Sequence, residues 1–146
     1  MARAEIPDTT VLIHIIREPE RWPAFQQALR AGTIWLSAVA VAELYAGTRS
    51  RGDALLINQI ATTPQRADQL ITPTPGEWAQ AGRLMARRIR LEGALQPRDH
   101  LADLLILLSA ARLHGTVITA NVRHFQAWAR LAVRAGFDAV VTPYPM

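Results

Sequence analysis

The sequence contains no cysteine and no lysine. The first absence removes disulfides, thiol nucleophiles and cysteine-ligated zinc; it suits a reducing compartment, so a cytoplasmic location is expected. The second removes a P-loop lysine, a Schiff base and an amine general base. Charged residues are sparse, 19% against roughly 25% in an average domain, and half of the residues are apolar. That balance excludes a disordered tail. No apolar run approaches the ~20 residues needed to span a bilayer, and Met1 to Pro7 contains no apolar leader core, so a soluble protein is expected. There is no Gly-x-Ser-x-Gly elbow and no Gly-rich dinucleotide loop. His14, His100, His114 and His124 lack metal-ligand spacing and read as surface or packing residues rather than a zinc site.

What is present is one domain's worth of chain, 146 residues, with neither repeat nor linker. All 16 basic residues are arginine, which against 12 acids gives +4. Arginine holds phosphate bidentately, so such a surface suits nucleic acid or an acidic partner. The pattern predicts short strands at Ile6 to Asp8, Thr33 to Leu36, Asp68 to Thr72, Thr116 to Thr119 and Ala139 to Val141. Helices are predicted over Glu20 to Ala31, Ser37 to Tyr45, Asp53 to Ile60, Gly76 to Glu92, Asp99 to His114 and Phe125 to Ala135. Val11 to Ile16 fits helix or strand, and looser stretches run over Thr62 to Gln65, Thr72 to Gly76 and Gln96 to Arg98. Apolar strands alternating with helices argue for an α/β sandwich, a parallel sheet covered on both faces. In such sheets working residues gather beyond the carboxyl ends of the strands, where strand order reverses.

Three carboxylates stand in settings that call for a reason. Asp103 opens a helix apolar on every side, and an ionised carboxylate removed from water needs a partner, hydrogen bonds or a metal. The bland account is a helix-start carboxylate favoured by the dipole. Glu43 has Val39, Ala40, Ala46 and Gly47 as its helical neighbours, small residues that admit another element, although it also fits a solvent-facing position. Asp8 follows the first strand and precedes Thr9-Thr10, where helix capping is the simpler role. If the three converge they repel, and they take up protons or recruit a hard cation; oxygen ligands point to Mg²⁺ or Mn²⁺.

Asp8-Thr9-Thr10, Ser37-x5-Glu43-Leu-Tyr-Ala-Gly47, Asp103-Leu-Leu-Ile and Thr119-Ala-Asn121-Val-Arg-His124-Phe125 occur in that order. Together they resemble the PIN-domain ribonucleases, most closely the VapC-type toxins of bacterial toxin–antitoxin pairs. The resemblance implies a single PIN-like domain over residues 1–146, a three-layer α/β/α sandwich with a mostly parallel sheet of about five strands. It implies endonucleolytic cleavage of RNA with Mg²⁺ or Mn²⁺, a homodimer, and a small VapB-like antitoxin as partner. By family matching, Asp8, Glu43 and Asp103 are the catalytic, metal-binding acids. The family's fourth acid is missing: Asn121 and His124 stand in its segment. Either a second ion binds poorly, or Asp99, one helical turn before Asp103, supplies the charge. The alternative function is a catalytically weak PIN-like protein that binds RNA or a partner without cutting. A small-molecule binding protein would instead need an apolar hollow where the acids are expected.

Supporting roles fall to Thr10 and Thr119, whose hydroxyls suit a ligand or a turn. Arg83, Arg87 and Arg90 recur on one helix face, with Arg88 adjacent, and form a candidate RNA-binding strip or simply a solvated face. Trp22, Trp35, Trp78 and Trp128 are expected to pack in the core.

Overall fold

The structure is a computed structural model of the full chain and describes residues 3–62 and 69–144. Its elements run β1 (Glu5–Pro7), α1 (Thr9–Arg17), a 3-10 turn (Pro19–Arg21), α2 (Trp22–Ala31), β2 (Leu36–Ser37), α3 (Ala38–Ala46) and α4 (Arg51–Thr62). They continue with β3 (Leu70–Ile71), α5 (Pro75–Glu92), a second 3-10 turn (Pro97–Asp99), α6 (Leu101–Arg112), β4 (Thr116–Thr119), α7 (Val122–Arg134) and β5 (Val140–Pro143). The strands pair in parallel as β1-β4-β5 and β2-β3, and a parallel bridge from Glu5 to Ile34 joins the two groups. The sheet therefore reads β3-β2-β1-β4-β5, the α/β arrangement expected from the alternation of short strands and helices. Its order reverses at β1, so the carboxyl ends of β1 and β4 open onto the crevice where ligands meet such sheets.

Local sequence explains most of these elements. Asp8 caps α1 by accepting from the Val11 amide, which turns the ambiguous Val11 to Ile16 stretch into helix despite its β-branched residues. The alternating core face of Val11, Leu12 and Ile15 is buried. Ser37 caps α3 through the amides of Val39 and Ala40. Gly32, at φ 78°, ends α2 in the left-handed region where glycine escapes the Cβ penalty. Thr74 and Glu77 form a reciprocal capping box at the start of α5. Pro19 draws the start of the predicted Glu20 to Ala31 helix into the first 3-10 turn. Pro97 does the same to α6, so Asp99 lies on a turn and not on the helix predicted from it. The start of the predicted Asp68 to Thr72 strand and residues 63–65 of the loose stretch fall outside the described residues.

The core fills both sides of the sheet. Leu104 to Ala111 are all buried, so α6 is the wholly enclosed helix its sequence predicts. Glu77 enters this interior from α5 with its charge matched: Arg112 Nε donates to Oε2 (2.7 Å) and Ser109 Oγ to Oε1 (3.3 Å), fastening α5 to α6. Trp128 is fully buried and Trp22 and Trp35 pack partly against the core, but Trp78 is half exposed and is not the core residue expected. Among the described residues no helix is long and apolar enough to cross a membrane.

The α6 to β4 turn sets the height of β4 against β1. A Cβ on Gly115 would lie 2.3 Å from Ile6 Cδ1 and 3.1 Å from the Ala4 carbonyl oxygen, and Ile6 is fully buried. Gly115→Ala should therefore destabilise the protein by about 1–3 kcal/mol. A lowered midpoint of urea unfolding with unchanged slope checks this, and an unchanged midpoint contradicts it.

Candidate active site

β1 delivers Asp8 to the crevice almost wholly buried. Its amide donates to Ile118 of β4 (3.0 Å), which locks the residue to the sheet. Its carboxylate takes every nearby donor: the Thr10 hydroxyl (2.6 Å) and Val11 amide (3.1 Å) at Oδ1, and the Thr119 hydroxyl (2.6 Å) at Oδ2. Thr10 in turn accepts from the Ala120 amide and Thr119 from that of Asn121, so the β4 to α7 corner is tied to the same carboxylate. Capping and convergence at the crevice are thus both true of Asp8. The threonines read from sequence as supporting residues fix its orientation.

Glu43 reaches this crevice from the last turns of α3. It is exposed, as its solvent-facing reading required, but it does not wave free, because the Thr9 hydroxyl donates to Oε1 (2.6 Å). Thr9 begins α1 immediately after Asp8, and one Asp-Thr-Thr run thereby orders two acids.

Asp103 comes from the first turn of α6, with its side chain about one quarter exposed. Its carboxyl is pushed up to about 7, first by burial and then by repulsion from Glu43 and Asp8. Asp103 thus feels the charge of both Glu43 and Asp8. Across from Asp103 stands His124, with Nε2 2.8 Å from Oδ2. Burial, followed by the positive charge of Arg88, lowers the imidazole from its ordinary value. A close His–Asp contact ordinarily shifts both groups the other way, towards an ion pair. Here burial works against charge on either partner, the flanking carboxylates disfavour a third anion, and Arg88 disfavours a cation. Both partners of this contact are therefore shifted against carrying charge, Asp103 upward and His124 downward.

Behind His124 runs a stack that sequence pattern did not reveal. His100 lies 5.2 Å from His124 ring to ring, His100 meets Trp128 edge-on at 5.4 Å, and the Arg88 guanidinium sits 4.5 Å over Trp128. Arg88 Nη1, His100 Nδ1 and Trp128 Nε1 are the buried side-chain polar atoms without a hydrogen-bond partner among the described residues. Their position in one stack beside the acids marks a polar wall to the site. Thus His100 and His124 pack together beside Asp103, and Arg88, read from sequence only as a neighbour of the strip, acts electrostatically on both imidazoles. The residue missed in α1 is Thr9, which only its spacing from Asp8 could have suggested.

A profile of the PIN domain matches residues 6–131 of the chain. The chain belongs to the PIN domain family. The PIN fold is shared with solved structures of low sequence identity. A chain of the DNA-bound VapBC complex from Salmonella typhimurium superposes with a TM-score of 0.66 at 16% identity, covering 98% of either chain. A chain of VapBC2 from Rickettsia felis bound to a fragment of its promoter gives 0.65 at 16%, covering 97% of this chain and 99% of that one. A chain of FitAB bound to an IR36 DNA fragment gives 0.62 at 19%, covering 95% and 94%. No curated protein sequence matches the chain significantly.

Within this PIN fold the remaining candidates separate. Asn121 is exposed at the start of α7 and its side chain caps nothing. Asp99 is exposed on the turn before α6, and its charge acts on His100 and not on Asp103, so it does not replace the missing acid there. Arg83 and Arg90 are exposed and Arg87 half-buried on α5. Among the described residues no three His, Asp or Glu side chains already surround one point. What the acids do share is charge: Asp103 is raised in part by Glu43 and Asp8, while no ready-made cation cage stands among the described residues. A cavity of about 600 Å³ lies between α1, α2 and the end of β5, lined by residues such as Val11, Phe25 and Tyr144 and by none of the three acids.

The raised Asp103 carboxyl has a stability signature. In the unfolded chain the group ionises near its ordinary 3.8, whereas in the folded one it holds its proton to about 7. Between those values the unfolded state binds fewer protons, so stability falls as pH rises through this window and is level above it. In metal-free buffer, Asp103→Asn should gain about 2–3 kcal/mol relative to the parent as pH rises from about 4 to about 7. Urea unfolding at the two ends measures the change, and a parent-to-variant difference independent of pH would show that Asp103 ionises freely.

Proposed function

We propose that this PIN-domain protein is a divalent-metal-dependent endoribonuclease, with Asp8, Glu43 and Asp103 as its catalytic and metal-binding acids, acting as the toxin of a VapBC-type toxin–antitoxin pair. The observation that carries this reading is the repulsion of the Asp103 carboxyl by both Glu43 and Asp8 at the carboxyl end of β1 and β4. Carboxyl groups that repel one another are a poor way to stabilise a fold and a direct way to hold a cation.

Each residue has a part. Asp8 is immobilised by Thr10, Thr119 and the α1 amide, and presents its carboxylate in one orientation. Glu43 is steered by Thr9 but exposed, so it can follow a ligand. Asp103, its carboxyl raised by burial and the two other acids, would be the group whose charge a bound cation stabilises most. A bound Mg²⁺ or Mn²⁺ supplies an acidified water as nucleophile and offsets charge on the phosphodiester. Arg83, Arg87 and Arg90 offer phosphate-binding groups along α5, with Thr119 and Asn121 at the crevice floor. No carboxylate takes the place of the fourth acid, which keeps the weakly catalytic, RNA- or partner-binding alternative as the outcome of a failed cleavage assay.

For partners, the reading rests on relatives: each of the superposed chains comes from a complex whose DNA fragment accompanies a two-component assembly. By that likeness we assign a small VapB-like antitoxin; the homodimer and the cytoplasmic location belong to the same reading and rest on the sequence resemblance alone. An apolar cleft between α1, α3 and α4, lined by Ile13, Ile16, Leu44 and Ile57, has Glu43 on its edge. A partner segment seated there would reach the acids.

Purified protein with a 5′-labelled single-stranded RNA should show cleavage that needs added Mn²⁺ or Mg²⁺ and is abolished by chelation. Asp103→Asn should lower the rate at least about a hundredfold. No metal-dependent cleavage, or full activity in the variant, would overturn the nuclease reading. Separately, replacing Arg83 and Arg87 by Ala in the Asp103→Asn background should weaken RNA binding and reduce the slope of log affinity against log salt by about 1–2. An unaltered slope would return the strip to a solvated face.

A further inference from the structure

We propose that α7 carries a binding track for single-stranded RNA, formed by Arg123, Arg130 and Arg134, which leads away from the acids and ends beside a shallow hollow for one base. This deepens, and rests on, the reading of the crevice as an RNA site. The observation that carries it is an unpaired basic face on a helix that contains no acid.

The three arginines are seven and four residues apart, so at about 100° per residue they lie within about 40° of one line along the helix. The line is about 17 Å long, and its last two members stand about 6 Å apart, one turn from each other. All three side chains are exposed, and among the described residues none has an acid partner. On α5, by contrast, Glu92 takes Arg88 (2.7 Å). Arg130 and Arg134 also suit the negative end of the helix dipole, so their position has a structural reason. Arg123 has none. It stands in the first turn, where the dipole favours an anion, and that turn holds no acid. A cation set against the field of its own helix serves a group outside the helix. Its chain neighbour His124 meets Asp103 at 2.8 Å, so the track begins at the crevice.

At the far end a hollow of about 310 Å³ opens between Arg130, Arg134 and the residue before β5. Its floor is apolar: Ala129 and Ala139 are buried and Val133 is 54% exposed, while Gln126 brings an amide to the rim. Asp138, next to Ala139, does not oppose an anion there, because Arg3 (3.1 Å) and His114 (2.9 Å) occupy its carboxylate. An apolar floor framed by guanidinium groups matches a base lying beside its own phosphate. A duplex keeps its bases stacked inside and offers nothing to such a hollow, which makes single strand the occupant.

The test is equilibrium binding of a fluorescent single-stranded RNA by the full-length protein in chelator, where binding is read without metal. Replacing Arg130 and Arg134 together by Ala should weaken binding at least about tenfold and reduce the slope of log affinity against log salt by about 1–2. Arg123→Ala should also weaken binding while the thermal midpoint holds or rises, the opposite of what losing a structural cation does. Abasic sites placed along the RNA in turn should reveal one position, away from the cleaved bond, at which affinity falls about fivefold or more. Circular dichroism checks that the variants keep the fold. Metal-dependent cleavage by the parent, with parental affinity and salt slope in the double variant, would overturn this inference and leave the nuclease reading intact. RNA held through these arginines but never cut would overturn the nuclease reading and keep the track. A parent that binds no single-stranded RNA, or binds a duplex of equal length more tightly, would overturn the track.

Discussion

The arrangement of the site depends on one buried anion. Asp8 ends the central strand, and its carboxylate is the acceptor on which the start of α1, the end of β4 and the entry to α7 all converge. A carboxylate without water is tolerable only when it accepts hydrogen bonds, and here two threonine hydroxyls and an amide occupy three of its roughly four acceptor sites. The same bonds that make its burial possible fix the relative height of β1 and β4, and with it the crevice. Fold and site are therefore stabilised by the same contacts.

The second constraint is electrostatic. Bringing Glu43 and Asp103 to the edge of this anion leaves the crevice with more negative charge than its donors offset, and the strain is recorded at Asp103, the least hydrogen-bonded member. Asp103 meets His124 at 2.8 Å, and behind that contact stands the stack of His100, Trp128 and Arg88. Arg88 has a double effect: it packs on Trp128, and its charge adds to burial in lowering both imidazoles from their ordinary values.

Local rules failed where proline or tertiary packing intervened. Val11 to Ile16 is helical because Asp8 caps it and the core buries its inner face, although its β-branched residues suit a strand equally well. Asp99 left the predicted helix because Pro97 redirected the chain, which removed the basis for its replacing the missing acid. Trp78, an aromatic in a helix, faces solvent, because α5 buries Ala81, Leu84 and Met85 instead. The histidines carried no spacing signal at all, since His100 and His124 belong to separate elements that only the packing of α6 against α7 brings together.

Sequence by itself determined the alternation of short apolar strands with helices, hence the layered α/β fold. It also determined which acids stood in places that water does not explain: Asp8 after a strand, Glu43 among small residues, Asp103 at the head of an apolar helix. Periodicity and capping are local, so a single chain displays them. Tertiary structure alone decided what those acids face. Partnership across the crevice, Thr9 with Glu43, Thr119 with Asp8 and His124 with Asp103, joins residues from different elements, and such contacts follow from strand order and helix packing that no local pattern encodes.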